Sequence, residues 1–305
     1  MEMSFFKKVK RYKLLLFMLL PAITFFIVFN YIPMAGVVIA FERFDYRGGV
    51  FGSPWVGFDN FKFLFVSGDI FRVTRNTALY NVAFIIINNT FEILIAIILS
   101  ELGGKYFKKI TQSIMFLPYF ISWVVVGAFV YNIFNNEFGF MNTALKTLNM
   151  PSVNVYDKPL AWVAIIIFFA LWKSVGYGTV FYLAAITGID RGMYESAEID
   201  GANIFKRIFY ITLPCLIPTI IILVLLALGN VFKGDFSMFY QIVGDNSLVY
   251  NATDVIDTYV IRSMTTIREF GMTSAAGLFQ SVLGFVIINI ANGAVKKIDS
   301  DYALF

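Results

Sequence analysis

Six apolar runs, each long enough to cross a bilayer, constrain this chain more than any other feature of its sequence. A transmembrane helix needs about 20 predominantly apolar residues. Runs of that length cover approximately residues 14–40, 78–100, 111–134, 160–186, 213–233 and 272–294. Backbone groups in hydrocarbon must satisfy their own hydrogen bonds, and these runs lack the alternating pattern of barrel strands. The sequence therefore predicts an all-α integral membrane protein with six transmembrane helices.

The composition agrees with this fold class and excludes several kinds of chemistry. The chain is 59% apolar and 14% charged, and its mean hydropathy is +0.75. It has no histidine and one cysteine, which excludes histidine zinc sites, Ser-His-Asp and Cys-His catalysis, and intrachain disulfides. The net charge of +4 is small, so nucleic acid is not an expected partner. No internal repeat or linker divides the chain, which predicts a single transmembrane domain over residues 1–305.

The distribution of basic residues indicates the orientation of the six spans in the membrane. An even number of spans places both termini on one side, and the short loops on that side are basic. Their basic residues are Lys7, Lys8, Lys10, Arg11, Lys13, Lys105, Lys108, Lys109, Arg191, Lys206, Arg207, Lys296 and Lys297. Short basic loops stay in the cytoplasm. We therefore expect both termini, and the loop between the fourth and fifth spans, to be cytoplasmic.

The segment 188–218, which we call the coupling segment, is unlike an ordinary loop. Asp190 is a candidate N-cap for a short acidic helix over Met193–Ile199, and Gly201 can supply the left-handed turn that ends it. A second amphipathic stretch begins at Ala202. The pattern predicts a helix, a turn and a helix on the cytoplasmic membrane surface. Such a pair is either a passive interfacial anchor or a docking element for a cytosolic protein.

Specific residues of the coupling segment resemble the EAA signature of permeases from binding-protein-dependent ABC importers. The matching positions are Glu195, Ser196, Ala197, Asp200, Gly201, Ala202, Leu213 and Pro214. Ser196 departs from the more usual alanine, one small residue for another. Stretches at 20–21, 30–33, 57–61 and 254–260 are similar to the carbohydrate branch of these permeases. Within that branch they resemble the lipoprotein-linked oligosaccharide permeases of Gram-positive bacteria.

The resemblance implies a type I ABC importer permease fold in a bacterial cytoplasmic membrane. Its implied partners are a second homologous permease, two copies of a cytoplasmic ABC ATPase and an extracellular substrate-binding protein or lipoprotein. Because the chain has no G-x-x-x-x-G-K-[ST] phosphate loop, ATP and magnesium would be bound by the ATPase, and this chain would be non-catalytic and bind no cofactor. It would translocate a sugar, specifically an oligosaccharide. Glu195 would pair with the ATPase groove, Ala197 and Ala202 would permit close approach, and Gly201 would set the angle between the two short helices.

Polar residues inside the spans are candidates for the substrate pathway, because they are costly in lipid and usually face a bundle interior or a wet cavity. Sugar hydroxyls pair with amides and carboxylates, and aromatic rings offer a flat platform. These criteria nominate Asn89, Glu92, Trp172, Lys173, Asn230 and Gln280. The structural alternatives are interhelical hydrogen bonds, interfacial anchoring, or an ion pair between Glu92 and Lys173.

Three other functions are alternatives to the importer. An ion-coupled secondary transporter could use Glu92 and Lys173 but leaves the coupling segment unexplained. A membrane-embedded enzyme lacks histidine and paired intramembrane carboxylates, and a scaffold without transport is the third possibility. Within the importer class, an ABC importer permease for a solute other than a sugar would have the same coupling segment.

Overall fold

The computed structural model describes residues 11–66, 68–267 and 270–304, which excludes the predicted cytoplasmic residues Lys7, Lys8 and Lys10. Among the described residues the only β pairing is an isolated bridge between Glu42 and Trp55. The main helices, numbered in chain order, are α1 (Lys13–Phe41), α2 (Asp59–Val66), α3 (Asp69–Glu101), α4 (Lys105–Phe116), α5 (Trp123–Phe134), α6 (Phe140–Thr147), α7 (Pro159–Thr187), α8 (Arg191–Ile199), α9 (Ile204–Leu228), α10 (Phe236–Val243), α11 (Ile256–Ile267) and α12 (Phe270–Ile298).

Five of these helices, α1, α3, α7, α9 and α12, are long and apolar enough to cross a membrane. They match the first, second, fourth, fifth and sixth predicted spans, which confirms the all-α membrane fold. Two of them begin well before the predicted boundaries. Helix α3 starts at Asp69 and α9 at Ile204, because helical structure continues through the polar residues beside each apolar run.

The third predicted span, 111–134, is not one continuous helix. Helix α4 ends at Phe116, a 3-10 turn follows over Leu117–Phe120, and α5 begins at Trp123. The axes of the two parts differ by 91°. Pro118 lacks the amide hydrogen that would continue α4, and the Ser122 hydroxyl accepts a hydrogen bond of 3.4 Å from the Val125 amide, which caps a new helix. Apolar length alone predicted a span, but these residues break it.

Two of the membrane helices contain a wide π-helical turn directly before a proline. In α1 the Ile32 amide donates to the Ile27 carbonyl, and Pro33 follows. In α9 the Leu213 amide donates to the Ile208 carbonyl, and Pro214 follows. A proline ring clashes with the carbonyl four residues earlier in a regular α-helix. The wider turn removes that clash and lets both helices run on through their prolines.

The described chain packs as two compact units. The first comprises residues 1–67 and 263–279. No residue in the apolar window of its helix α1 is buried. The end of α1 is joined to α2 by Asn60, whose amide nitrogen donates to the carbonyls of Ala40 at 3.0 Å and Glu42 at 2.9 Å. The Phe41 ring stacks on Trp55 with 5.6 Å between centroids. The exposed apolar surface of α1 is that of a helix in contact with lipid or another protein.

The second unit comprises residues 68–262 and 280–305 and contains the candidate sites. Helices α3 and α7 pack along each other and form its axis. One buried cluster surrounds Trp162 and Ile166 on α7 and includes Val126 of α5 and Phe239 of α10. A second surrounds Tyr182 near the other end of α7 and includes Leu216 of α9. The prediction of one membrane domain over residues 1–305 concerns the whole protein and stays a prediction.

Candidate functional site: the coupling segment and an intramembrane cavity

The short helix α8 begins at Arg191, two residues before the predicted Met193, and ends at Ile199 as predicted. The Asp190 carboxylate accepts a hydrogen bond of 3.0 Å from the Gly192 amide, which confirms the N-cap. At the other end Gly201 has a φ of +74°. The Gly201 amide donates to the Glu198 carbonyl at 3.0 Å and the Ala202 amide to the Ala197 carbonyl at 2.8 Å. These are the two bonds of a Schellman turn, so Gly201 stops the helix with its last carbonyls satisfied.

The second half of the predicted surface pair is not a separate helix. The Asn203 side chain accepts a hydrogen bond of 2.9 Å from the Lys206 amide and starts α9, which continues without a break to Leu228. The prediction of a helix, a turn and a second surface helix is therefore wrong in its last part. The π turn over Ile208–Thr212 allows the amphipathic stretch to pass Pro214 and become the start of a membrane helix. The second half of the coupling segment is therefore continuous with the fifth predicted span.

Two side-chain contacts that no sequence pattern indicates hold α8 in place. The Arg207 guanidinium of α9 pairs with Glu198 of α8 and lies 3.9 Å from the Glu101 carboxylate at the end of α3. The Tyr194 hydroxyl shares a hydrogen bond of 2.9 Å with the buried Thr212. Arg207 therefore connects the ends of three helices. Glu101 and Arg207 are far apart in sequence, so no local pattern indicates their contact.

The residues of the EAA resemblance divide into an exposed set and a supporting set. Glu195, Ser196 and Asp200 are exposed, whereas Ala197 and Ala202 are half-buried. Exposed apolar side chains flank them, with Met193 at 45% and Ile199 at 87% exposure. Leu213, by contrast, packs against the buried cluster around Tyr182, and Pro214 follows the π turn. Leu213 and Pro214 thus lie in the packed start of α9, and α8 is the more exposed part of the coupling segment.

Three of the six predicted pathway residues line one cavity of about 340 Å³. Asn89 and Glu92 of α3 face it together with Asn230, which follows α9. The Tyr182 hydroxyl donates to the Asn89 carbonyl oxygen, and the Asn89 amide nitrogen donates to the Ile85 carbonyl at 2.6 Å. The cavity wall therefore holds amide and carboxylate groups suited to hydroxyl-rich ligands, and Tyr182 supports Asn89 from outside the lining.

A glycine lies opposite the carboxylate in the cavity wall. Gly178 of α7 lies against Glu92, and a Cβ built at that position would collide with the Glu92 carboxylate. The Tyr177 ring lines the same cavity. Glycine at 178 thus lets Glu92 lie between α3 and α7, where its residue is 9% exposed.

The other three predicted pathway residues lie elsewhere. Trp172 lines a separate cavity with Phe129 and Phe168. The Lys173 ammonium donates to the Tyr119 carbonyl at 2.7 Å and lies 5.3 Å from the centre of the Trp123 ring. The alternative of a Glu92–Lys173 ion pair is wrong, because Lys173 instead satisfies backbone carbonyls at the break between α4 and α5.

Gln280 is held in a local network at the end of the second unit. Its amide nitrogen donates to the Phe232 carbonyl at 3.0 Å and to the Asp257 carboxylate at 2.8 Å. Asp257 also accepts a bond of 2.6 Å from the Gly234 amide. Burial of Asp257 raises the pKa of its carboxyl above the ordinary value, although these hydrogen bonds oppose the shift. Gln280 therefore joins α11 to the chain after α9.

The family of the chain follows from comparison with known proteins. Residues 92–300, which include the coupling segment and most of the cavity, match the family described as "Binding-protein-dependent transport system inner membrane component". The chain belongs to this family. Membership confirms the predicted resemblance and the type I ABC permease fold.

Individual relatives in the family align over nearly the whole chain. The chain is 33% identical to protein LplB of Bacillus subtilis (strain 168), covering 98% of this chain and 93% of LplB. It is 31% identical to the polygalacturonan/rhamnogalacturonan transport system permease protein YteP of the same organism, covering 96% and 93%. Among solved structures, a chain of a bacterial alginate ABC transporter in complex with an alginate pentasaccharide-bound periplasmic protein superimposes with a TM-score of 0.85. That chain is 33% identical, and the match covers 96% of this chain and 98% of that one.

Proposed function

We propose that this chain is one permease subunit of an ATP-driven importer that translocates an oligosaccharide. The observation that carries the proposal is the geometry of α8, a capped helix with an exposed acidic and apolar surface that is tied to the bases of α3 and α9. Family membership favours this function over an ion-coupled transporter, an enzyme or a scaffold. We place both termini in the cytoplasm of a bacterium, with the chain crossing the cytoplasmic membrane several times.

The proposed assembly contains a second homologous permease, two copies of a cytoplasmic ABC ATPase and an extracellular binding protein or lipoprotein. ATP and magnesium are bound and used by the ATPase alone. Helix α8 inserts into a groove of the ATPase, where Glu195 pairs with a polar or cationic group and Ala197 allows close approach. Exposed Met193 and Ile199 supply apolar contact area.

Motion of the ATPase is passed to the spans through the Arg207 contacts. When α8 is displaced as a rigid body, the ion pair between Glu198 and Arg207 pulls the start of α9 with it. Because Arg207 also lies close to Glu101, the same displacement is passed to the end of α3. Packed helices switch between discrete arrangements rather than deforming continuously. The expected result is alternation of the spans between inward-open and outward-open states.

A sugar substrate is supported by the lining of the intramembrane cavity. Asn88, Asn89 and Asn230 offer amide donors and acceptors, Glu92 offers a carboxylate, and Tyr177 offers an aromatic ring. This set suits neutral hydroxyl groups and the flat apolar face of a sugar ring. The names of the relatives YteP and arabinooligosaccharide permease AraP refer to transport of sugar polymers or oligomers, in agreement with the proposed substrate class.

The test measures ATP hydrolysis by the complete assembly in liposomes, with and without loaded binding protein. We expect Glu195→Ala to abolish the stimulation by binding protein, since α8 loses the carboxylate that we assign to the contact with the ATPase. Glu137→Ala is the control, because Glu137 is an exposed carboxylate outside the coupling segment. Retained stimulation in Glu195→Ala would contradict the assigned role of Glu195. Failure of the wild-type chain to purify with any ABC ATPase would contradict the proposed function itself.

A further inference from the structure

A second cavity, of about 350 Å³, lies toward the opposite end of α3 from the coupling segment. It is lined by one face of the first turns of α3, by the start of α7 and by residues Asn251 and Ala252. Nothing in the importer mechanism uses it. The polar residues Arg75 and Asn76 lie at one end of this face of α3, and the apolar residues Leu79 and Ala83 follow along the same face.

The polar end of the cavity carries an uncompensated positive charge. The Arg75 guanidinium is exposed and donates to the Asn76 carbonyl oxygen at 3.3 Å. Among the residues that the structure describes, no carboxylate oxygen lies within 4 Å of the Arg75 side chain. Asn76 is itself fixed, because its amide nitrogen donates to the carbonyls of Asn251 at 3.0 Å and Asp254 at 3.1 Å. Arg75 is thus presented at the cavity with its charge available to an anion.

Tyr80, which also lines this cavity, has a buried hydroxyl without a partner. Tyr80 is 4% exposed, and its hydroxyl oxygen has no hydrogen-bond partner. The ring is held in place by Phe239, with 4.9 Å between ring centroids. A buried hydroxyl without a partner is unfavourable, so a ligand that accepts a hydrogen bond from Tyr80 would be stabilised there.

The position of the cavity along α3 matches the edge of a bilayer. Arg75 and Glu101 are 26 residues apart, which is about 39 Å of α-helix at a rise of about 1.5 Å per residue. A bilayer measures about 40–45 Å between its two headgroup regions. If Glu101 lies at one headgroup region beside the coupling segment, Arg75 lies at the other. Leu79, Ala83, Val163 and Ile167 then line the cavity at acyl-chain depth.

We propose that this cavity binds one anionic phospholipid. The lipid phosphate pairs with Arg75, a lipid ester carbonyl accepts the hydrogen bond of the Tyr80 hydroxyl, and an acyl chain lies against Leu79 and Ile167. A zwitterionic lipid offers the same phosphate beside a cationic choline, which the Arg75 guanidinium repels, so the net charge favours an anionic headgroup. The apolar wall favours a lipid over a sugar. The lipid would fill the space between the ends of α3 and α7 and stabilise their packing. This inference goes beyond the proposed transport function and does not depend on it.

The first experiment measures lipid selectivity in the purified importer assembly. The assembly is exchanged into mixed micelles of phosphatidylglycerol and phosphatidylcholine, and native mass spectrometry counts the lipids retained. We expect Arg75→Gln to reduce the preference for phosphatidylglycerol by up to about fivefold, the effect of one exposed charge interaction, because both lipids keep the phosphate and only the choline charge distinguishes them. Tyr80→Phe keeps the ring and removes only the hydroxyl, so it should lower retention of both lipids without changing the preference.

Lys158→Gln is the matched control, because Lys158 is an exposed cation at the start of α7 that does not line the cavity. It should leave the lipid preference unchanged. An unchanged preference in Arg75→Gln, or an equal loss in Lys158→Gln, would overturn the proposal in favour of general attraction to a basic surface.

A second experiment identifies the occupant directly. A photoreactive amino acid is placed at Leu79, which lines the cavity and is 61% exposed, and the assembly is irradiated in a membrane that contains phosphatidylglycerol. A mass increase equal to one phosphatidylglycerol on this chain supports the proposal. A crosslink to the second permease or to the binding protein overturns it, because the cavity is then a protein interface.

Discussion

Replacing Gly176 with alanine should destabilise the chain, because α7 and α4 touch backbone to backbone at this glycine. A Cβ built on Gly176 would collide with the Met115 carbonyl oxygen. It would also lie 2.5 Å from the Met115 carbonyl carbon and 2.9 Å from the Phe116 nitrogen. Carbon atoms in ordinary contact are about 3.5–4.0 Å apart. The two helices would therefore have to separate by about 1 Å.

The size of the effect is the difference between two contributions. Overpacking a core costs about 1–3 kcal/mol, and the upper end applies because the obstructing atoms belong to the backbone, which no rotamer change can move. Alanine is more favourable than glycine inside a helix by about 1 kcal/mol. We therefore expect Gly176→Ala to lower the free energy of unfolding by about 2 kcal/mol.

Thermal unfolding of the purified chain in mild detergent can measure this loss. Cys215 is the single cysteine and is half-buried, so reaction with a thiol-reactive fluorophore reports unfolding. For a chain of 305 residues the expected decrease in Tm is about 3 °C. Gly293→Ala on α12 is the matched control, since nothing lies within 4 Å of its added Cβ, and its Tm should be unchanged or higher. A Gly176→Ala variant with the wild-type Tm would refute the close crossing of α7 and α4.

Three further substitutions test other parts of the structure. Arg207→Gln removes the ion pair with α8, so fewer substrate molecules should be imported per ATP hydrolysed, while the ATPase still co-purifies. An unchanged ratio of imported substrate to hydrolysed ATP in proteoliposomes would contradict the role of Arg207. Gly201→Ala forces alanine to a φ of +74°, at a cost of about 1–2 kcal/mol. It should weaken capture of the ATPase on affinity resin, and equal capture would show that the turn is not needed. Asp254→Asn removes the buried carboxylate that lies 2.5 Å from Arg262 and 3.5 Å from Arg72. It should lower stability by about 2–3 kcal/mol, less than for a fully buried pair because both guanidinium groups are partly exposed; a Tm equal to that of the wild type would refute this assignment.

The number of membrane-crossing segments could largely be predicted from the sequence, because hydropathy over about 20 residues reports a strong physical constraint. The local turn chemistry of α8 was equally accessible. Asp190 and Gly201 act through hydrogen bonds to residues within five positions of themselves, and such short-range patterns can be read directly from the order of the amino acids.

Interruptions of helices were harder to predict, because proline has two opposite outcomes in this chain. Pro118 lies at the break between α4 and α5, whereas Pro214 follows a π turn and α9 continues through it. The difference lies in the neighbours. Ser122 caps a new helix shortly after Pro118, and no comparable cap follows Pro214 in the described helix. Hydropathy does not contain this information.

Side-chain partners across the fold could not be inferred from a single sequence. Glu92 and Lys173 are oppositely charged residues inside predicted spans, so the sequence allows an ion pair between them. The structure instead places Glu92 beside Gly178 and directs Lys173 to the carbonyls at the helix break. The contact of Arg207 with Glu101 joins two distant parts of the chain in the same way. Only the packing of α3, α7 and α9 decides these pairings.

Uptake of an oligosaccharide into liposomes tests most directly the claim that this chain is a subunit of an ATP-driven importer. The complete assembly is placed in liposomes with ATP inside, and a labelled oligosaccharide is supplied outside on its binding protein. We predict uptake that requires internal ATP and this chain, persists when ion gradients are dissipated, and is lost in Glu195→Ala. Uptake that proceeds without ATP and follows an imposed ion gradient would contradict the account.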